Sequence, residues 1–391
     1  MKYVARRVEA ALRRTLGVFP AALVVGPRQC GKSTLLERAT PGWRRLDLER
    51  PEHLAALRAD PGALLERDAS GLVVDEAQRM PELFALLRPA LDASKRKGRL
   101  ILSGSASPEI VRGVSESLAG RIGILELTPF RGVELSGSRR AKDRWFWGGF
   151  PPVHALAAHA ARTTWLDAYV STFLERDLPA LGLNLPAERL RRLWTMLTHV
   201  HGGVLTVSDL ARSLTVTAPV VDRYLDVLEG AFMIRRVYPH FANVQKRLTK
   251  APKLYVRDTG LLHFLAGLRA PADLETWPRR GQSFEGLVVE ELVALAHEKV
   301  VRPYVAFWRT AAGAEVDLLL GDGKRLLPIE IKLGRSVDQY AFAGLRNCMA
   351  DLGLDRGWIV CRAPERIDVG RGVEIVPWDD LVAGKIELPL G

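Results

Sequence analysis

Cysteine is scarce in this chain. Cys30, Cys348 and Cys361 are the only three in 391 residues. Their odd number and wide separation exclude a disulfide framework and a cysteine-built zinc site, and they fit a reducing cytoplasm. Long apolar runs are also missing. No stretch reaches the ~20 residues needed to cross a bilayer. The amino-terminal Met1-Lys-Tyr-Val-Ala-Arg-Arg7 lacks the apolar segment of a signal peptide, so no membrane association is expected. Acids are in short supply as well. Against 56 Lys and Arg there are 45 Asp and Glu, a formal charge of +11 with a pI near 9.8. The surplus is uneven, with 15 Lys and Arg against 8 Asp and Glu between Pro186 and Arg280. A localised basic excess favours a polyanionic partner over simple solubility. Apolar residues make up 48% of the chain, which excludes disorder, and the length calls for two or three domains.

The most informative segment is Leu23-Val-Val-Gly-Pro-Arg-Gln-Cys-Gly-Lys-Ser-Thr34. It fits G-x-x-x-x-G-K-[ST], with an apolar strand before it (Ala21–Val25) and a helix after it (Ser33–Ala39). Gly26 and Gly31 let backbone N–H groups curl around phosphate oxygens, and the helix turns its positive end to the same anion. Lys32 reaches the β/γ-phosphates and Ser33 holds Mg²⁺. The nucleotide-binding set is thus Gly26, Pro27, Arg28, Gln29, Cys30, Gly31, Lys32, Ser33 and Thr34, with ATP and Mg²⁺ as cofactors. Cys30 contributes only its backbone.

Gly71-Leu-Val-Val-Asp-Glu-Ala-Gln78 reads as a second strand, parallel to the first and beside it, ending in two acids. Asp75 would hold Mg²⁺ through water and Glu76 would polarise the attacking water. A third strand, Arg99–Ser105, ends in small hydroxyls, with Ser103 placed to sense the γ-phosphate or orient the lytic water. Arg121, in Ser-Leu-Ala-Gly-Arg, is either an arginine finger acting across a subunit boundary or a surface arginine. Helices are expected over Glu52–Leu65 and Met80–Ser94, and the polar run Ser136–Arg144 marks a boundary.

From Leu190 onward the pattern is helix, turn, helix, then strands. A short helix over Thr206–Leu214 capped by Ser208 precedes another over Ala218–Glu229, followed by the basic strand Met233–Pro239. This is the order of a winged helix-turn-helix. Thr217 and Arg223 would lie near DNA bases, and Lys246, Arg247, Lys250 and Lys253 near phosphates. The alternative is a helical domain using the same hairpin for protein contacts. Farther on, a helix over Ser283–Leu295 leads to strands Val305–Thr310, Ala314–Leu320 and Leu326–Leu333. A hairpin closed near Asp322-Gly323 would oppose Asp317 and Glu330. Strand alternation puts Glu315 beside Asp317 and Lys332 beside Glu330. Asp317 and Glu330 could share a divalent ion while Lys332 orients the water, with Glu285 in support. The other reading is a hairpin whose exposed face carries paired charges.

With GPRQCGKST, VVDEAQ, LSGSAS, SLAGR, GGFPPV, KRLTKAPKLYVRDTGLL, FEGLVVEEL, GAEVDLLL and PIEIK in hand, the chain resembles prokaryotic AAA+-type ATPases that carry the C-terminal domain DUF4143. The likeness covers nearly the whole chain. It implies an α/β protein: a P-loop AAA+-type domain (1–135), a helical linker or lid (136–185), a winged-helix-like DNA-binding domain (186–280) and a restriction-endonuclease-like α/β domain (281–391). In that last fold the D…(D/E)-x-K signature falls on Asp317, Glu330 and Lys332. The resemblance implies ATP binding; with Glu76 and Arg121 read as above, ATP hydrolysis and a homo-oligomer, of which a hexameric ring is one form, are expected. The reading that follows is an ATP-driven protein that binds and remodels or processes DNA, branched DNA included. Its rival is a nucleotide-switch ATPase with a catalytically silent interaction module at the C-terminus.

Overall fold

The computed structural model describes residues 3–67, 70–93, 96–104, 117–183, 186–241, 251–310 and 313–390. They form two compact units. The first comprises 1–130 with 150–155 and 226–233, and the second 131–149, 156–225 and 234–391.

The first unit is built on five parallel strands: β1 (Ala21–Val25), β2 (Arg44–Asp47), β3 (Leu72–Asp75), β4 (Leu100–Gly104) and β5 (Ile122–Glu126), in the order β2-β3-β4-β1-β5. β1, β3 and β4 are apolar at almost every position, as strands covered on both faces must be. Alternation splits them. Leu23, Val25, Leu72, Val74, Leu100 and Leu102 pack with Leu57, Leu83, Phe84 and Leu87, whereas Ala22, Val24, Val73 and Ile101 pack with Leu12, Leu35 and Leu36. These partners come from α1 (Val8–Val18), α2 (Lys32–Ala39), α3 (Pro51–Ala59) and, beyond α4 (Pro61–Arg67), α5 (Leu83–Ala93). The single helix expected over 52–65 is two, because Pro61 offers no N–H and excludes Asp60 from the helical region. The strand of Asp75 is also not next to β1. β4 lies between them, so Ser103 sits closer to the loop strand than Asp75 does.

The second unit takes in the polar run 136–144. Most of it enters α6 (Arg139–Trp147), whose Arg144 is buried. Then come α7 (His159–Thr172), α8 (Ala187–Val200), β6 (Gly203–Val204), α9 (Val207–Leu214) and α10 (Ala218–Gly230), followed by β7 (Ile234–Val237) and β8 (Lys253–Val256). β8 pairs antiparallel with both β6 and β7, in the order β6-β8-β7. The cap position of α9 is Thr206 rather than Ser208, and no side chain caps it. After α11 (Thr259–Leu265) and α12 (Arg280–Lys299) come six strands: β9 (Tyr304–Arg309), β10 (Glu315–Gly321), β11 (Leu326–Ile331), β12 (Gly357–Cys361), β13 (Ile367–Asp368) and β14 (Val373–Pro377). Their order is β13-β14-β12-β11-β10-β9, antiparallel at β9-β10-β11 and parallel across β11-β12-β14. The face bearing Leu318, Leu320 and Ile329 packs on α12. The face bearing Val316, Leu319 and Ile359 packs on α13 (Gln339–Leu352). No helix among the described residues is long and apolar enough to cross a membrane.

Candidate functional sites

The phosphate loop runs from the end of β1 into α2. Gln29 (φ 60°) and Gly31 (φ 101°) hold left-handed backbone, the curl that turns successive N–H groups to one side. At Gly26 a Cβ would lie 2.1 Å from the Leu127 carbonyl oxygen, so no larger residue fits. Lys32 is buried, and its Nζ donates to the carbonyls of Gly26 (3.0 Å) and Pro27 (2.9 Å). An ammonium has three donors, so this anchoring keeps one for a phosphate oxygen. Ser33 and Thr34 stand exposed in the first turn of α2, and Arg28 is half-buried.

The acids converge as expected despite the intervening strand. Ser33 Oγ donates to Asp75 Oδ2 (2.6 Å), the Ser103 hydroxyl donates to Asp75 Oδ1, and the Glu76 N–H donates to the same oxygen (3.0 Å). Glu76 itself adopts left-handed backbone (φ 56°), which carries it off the line of β3, and its carboxylate accepts from the Gln78 amide. Burial pushes the Glu76 carboxyl above its ordinary range, against the opposing pull of Lys32 and Gln78. A carboxylate so raised is a better proton acceptor for a water beside the loop. Arg121 is held within its own unit, donating through Nη2 to Asp92 Oδ2 (3.0 Å) and through Nη1 to the Ala119 carbonyl (3.0 Å).

Arg6 had no signal in the local sequence. It is 5% exposed, reaches the Cys30 carbonyl of the loop (2.9 Å) and the Thr128 carbonyl, and lies over the Phe130 ring. It therefore ties the amino-terminal segment to the loop's backbone. Cys30 is wholly buried, its thiol pushed up by that burial, which agrees with a role through its backbone alone.

The second constellation lies on the C-terminal sheet. The β10–β11 register pairs Leu318 with Ile329, and its continuation sets Asp317 opposite Glu330. Asp322 closes the hairpin, accepting from the Lys324 and Arg325 N–H groups (2.9 and 2.8 Å). Both acids are buried, at 8% and 6% exposure, and Lys332 Nζ sits 2.6 Å from Glu330 Oε1. The expected trio is thus together, with an uninvited fourth. Lys253, expected on a phosphate-binding surface, is 2% exposed. Its Nζ lies 2.9 Å from Asp317 Oδ1, 2.6 Å from Glu315 Oε1 and 3.2 Å from Glu285 Oε1. It does not face solvent, because three carboxylates draw it inward. Burial works against its charge, but Asp317, Tyr255, Glu285 and Glu315 outweigh it and hold the ammonium well above the usual lysine range. The other oxygen of Asp317 accepts from the Ile331 N–H (2.9 Å), and the Tyr255 hydroxyl donates to Glu285 (2.6 Å). Burial and the Asp317 charge push Glu285 and Glu330 upward. The available signal was the strand Lys-Leu-Tyr-Val, a lysine among apolar residues two positions from an inward tyrosine.

Of the remaining residues expected at DNA, Thr217 and Arg223 are exposed, with Arg223 donating to the Gly182 carbonyl (3.0 Å). Lys246, Arg247 and Lys250 lie outside the described residues.

Residues 18–136 match the family described as an AAA domain, 138–272 a domain of unknown function, DUF8612, and 280–381 the domain of unknown function DUF4143. Uncharacterized proteins of Mycobacterium tuberculosis strain H37Rv (Rv2008c) and Mycobacterium bovis (Mb2031c) are each 40% identical over 380 residues, 96% of this chain and 84% of theirs. The chain belongs to the AAA-domain P-loop ATPases with a C-terminal DUF4143 domain. Among solved structures, this ATPase is similar to the Walker-type ATPase PABY2304 of Pyrococcus abyssi. That match has 17% identity and a TM-score of 0.46, covering 67% of this chain and 96% of that one. A signal transduction ATPase with numerous domains from Pyrococcus horikoshii, PH0952, gives 12% identity and a TM-score of 0.31, covering 75% and 48%. In the ATPase described here, the loop, Lys32, Ser33 and Asp75 all lie within the 18–136 segment that matches the AAA domain.

Proposed function

We propose that this P-loop ATPase hydrolyses Mg²⁺-ATP with Glu76 as the base and couples the cycle to DNA held by its central region. The observation that carries the hydrolytic half is the convergence of Ser33, Asp75 and Ser103 through direct hydrogen bonds, with Glu76 next in the chain. A serine hydroxyl and a carboxylate 2.6 Å apart are the donor set of a small hard cation. Mg²⁺ bound there by Ser33, and through water by Asp75, would neutralise charge on the β- and γ-phosphates. Lys32 would hold those phosphates, Ser103 would fix Asp75, and Glu76 would take the proton of the attacking water.

The DNA half rests on two supports. One is the order α8, β6, α9, α10, β7, β8 with the antiparallel sheet β6-β8-β7, the chain order of a winged helix-turn-helix. The other is the basic surplus of residues 186–280. Arg223 and Thr217, exposed on and just before α10, fit a recognition helix, and Lys246, Arg247 and Lys250, between β7 and β8 in sequence, add basic charge. A homo-oligomer, with Arg121 serving a neighbour's nucleotide, completes this reading.

The test is ATPase turnover with and without duplex and branched DNA, alongside DNA binding across a salt series. DNA should stimulate turnover, and affinity should fall steeply with salt, because the counterions that binding releases from DNA gain less in a concentrated salt solution. Turnover indifferent to DNA, with no binding at low salt in any nucleotide state, would leave a nucleotide switch that acts on proteins.

A further inference from the structure

The buried lysine on β8 departs from what the C-terminal fold implies. A restriction-endonuclease-like site needs a divalent cation between Asp317 and Glu330, and the residues present do not fit one. Both Asp317 oxygens are taken, one by Lys253 and one by the Ile331 N–H. Glu330 Oε1 is taken by Lys332, which leaves Glu330 Oε2 buried and without a hydrogen-bond partner. Among the described residues, no group of three or more His, Cys, Asp and Glu is arranged to hold a metal ion.

The ammonium occupies the Asp317 side of that place. It sits in a nest of three carboxylates, donating to Asp317 and Glu285 and ion-paired with Glu315, at 2.6 to 3.2 Å. The nest is drawn from strand β10 and helix α12, and the cation from β8 of the three-stranded sheet. Against β9, β10 shifts register between Val316 and Leu319. A bulge re-aims the side chains beside it, and here Asp317 lies within the shift. The ammonium lies over the Phe307 ring, with Nζ 5.7 Å from its centroid, and the side chain is buried. Such a lysine is confined by packing as well as by charge.

We propose that Lys253 is a built-in cation that occupies the Asp317 oxygen a phosphodiesterase would offer to its divalent metal, so that the C-terminal acid cluster takes no metal and cuts no nucleic acid. An ammonium can neutralise carboxylates, but it has no open coordination position. It therefore supplies neither Lewis acidity toward a phosphate nor a bound water of lowered pKa. A divalent ion entering beside it would face a desolvated like charge. What the cluster does instead is clamp β8 to β10.

The experiment is a Mn²⁺ titration of the full chain without nucleotide, with free Mn²⁺ read by electron paramagnetic resonance. Wild type and Asp317→Asn should bind Mn²⁺ alike. Lys253→Ala should gain one ion per chain, lost again in Lys253→Ala/Asp317→Asn, and millimolar Mn²⁺ should raise the Tm of Lys253→Ala but not of wild type. Mn²⁺ bound by wild type and lost in Asp317→Asn would overturn the proposal, as would a folded Lys253→Ala that gains no ion. Should neither variant fold, wild type decides alone. Absence of a tight Mn²⁺ site together with an intact supercoiled plasmid in Mg²⁺ or Mn²⁺ supports the sealed cluster, and metal-dependent nicking by the homogeneous protein refutes it. None of these readouts depends on the proposed ATP–DNA coupling.

Discussion

At the phosphate loop, single atoms decide the chemistry. Lys32→Ala removes the counter-ion of the β/γ-phosphates, so ATP affinity should fall at least about tenfold, a loss of about 1.4 kcal/mol, in an equilibrium titration. Glu76→Gln is isosteric and leaves Ser33 and Asp75 intact. It should bind ATP like wild type yet hydrolyse it about 10²–10⁴ times more slowly. Equal turnover in the two proteins would remove Glu76 from the mechanism. The pH profile follows from the buried carboxyl. Glu76 acts as a base only when ionised, and its folded value lies above the ordinary 4.5. Turnover should therefore rise with pH through a midpoint above that value, and the acid limb should vanish in Glu76→Gln. Gly26→Ala tests the loop's geometry. Its Cβ would meet the Leu127 carbonyl at 2.1 Å, so the strand must shift, at a cost of about 1–3 kcal/mol readable by denaturant unfolding.

At the scale of elements, α11 is fastened by a buried imidazole. His263 is 1% exposed, its Nδ1 2.8 Å from the Phe146 carbonyl and its Nε2 2.7 Å from Ser283 Oγ. Burial lowers its pKa to about 4 against the Phe146 hydrogen bond, and burial takes His201 to about 3. Both folded values lie below the unfolded one near 6.5. Their contribution is therefore complete above pH ~6.5 and is lost as pH falls toward 4, by about 1.4 kcal/mol per unit for each. His263→Gln should lessen that slope by one proton in urea unfolding between pH 6.5 and 4, the carboxylates cancelling against wild type. An unchanged slope would mean the imidazole titrates alike in both states. The basic segment before β8 is tested separately. Replacing Lys246, Arg247 and Lys250 by alanine should weaken DNA binding for all sequences alike and flatten its salt dependence. Unaltered salt dependence would move the phosphate contacts elsewhere.

For the whole molecule, Arg121 raises the question of assembly. Its guanidinium is paired with Asp92 of its own chain, so action on a neighbour's nucleotide requires an exchange of partners. Exposed pairs are weakly held, which makes the exchange accessible. Arg121→Ala and Glu76→Gln subunits, each nearly inactive alone, should recover part of the hydrolysis when mixed, because one class of mixed interface joins an intact finger to an intact base. Full turnover by a strictly monomeric protein, or by Arg121→Ala alone, would return Arg121 to the surface.

Local chemistry was legible in the sequence wherever spacing alone determines it. The loop from Gly26 to Thr34 needs consecutive residues, and so its strand, turn and helix could be read from the chain. The apolar strands around Asp75 and Ser103 followed from their composition, and the opposition of Asp317 to Glu330 from a short hairpin. Only the tertiary structure decided which strand lies between which, because parallel strands are joined through helices and their order leaves no periodicity behind. It placed β4 between β1 and β3, brought Arg6 to the Cys30 carbonyl across the chain, and turned Lys253 from an apparent phosphate contact into the centre of a buried cluster. The physical reason for the last two is the same. A charge in sequence carries no record of its burial, and burial is set by partners far along the chain. For Lys253 they are Glu285, Glu315 and Asp317, which meet it only once β8, β10 and α12 have packed.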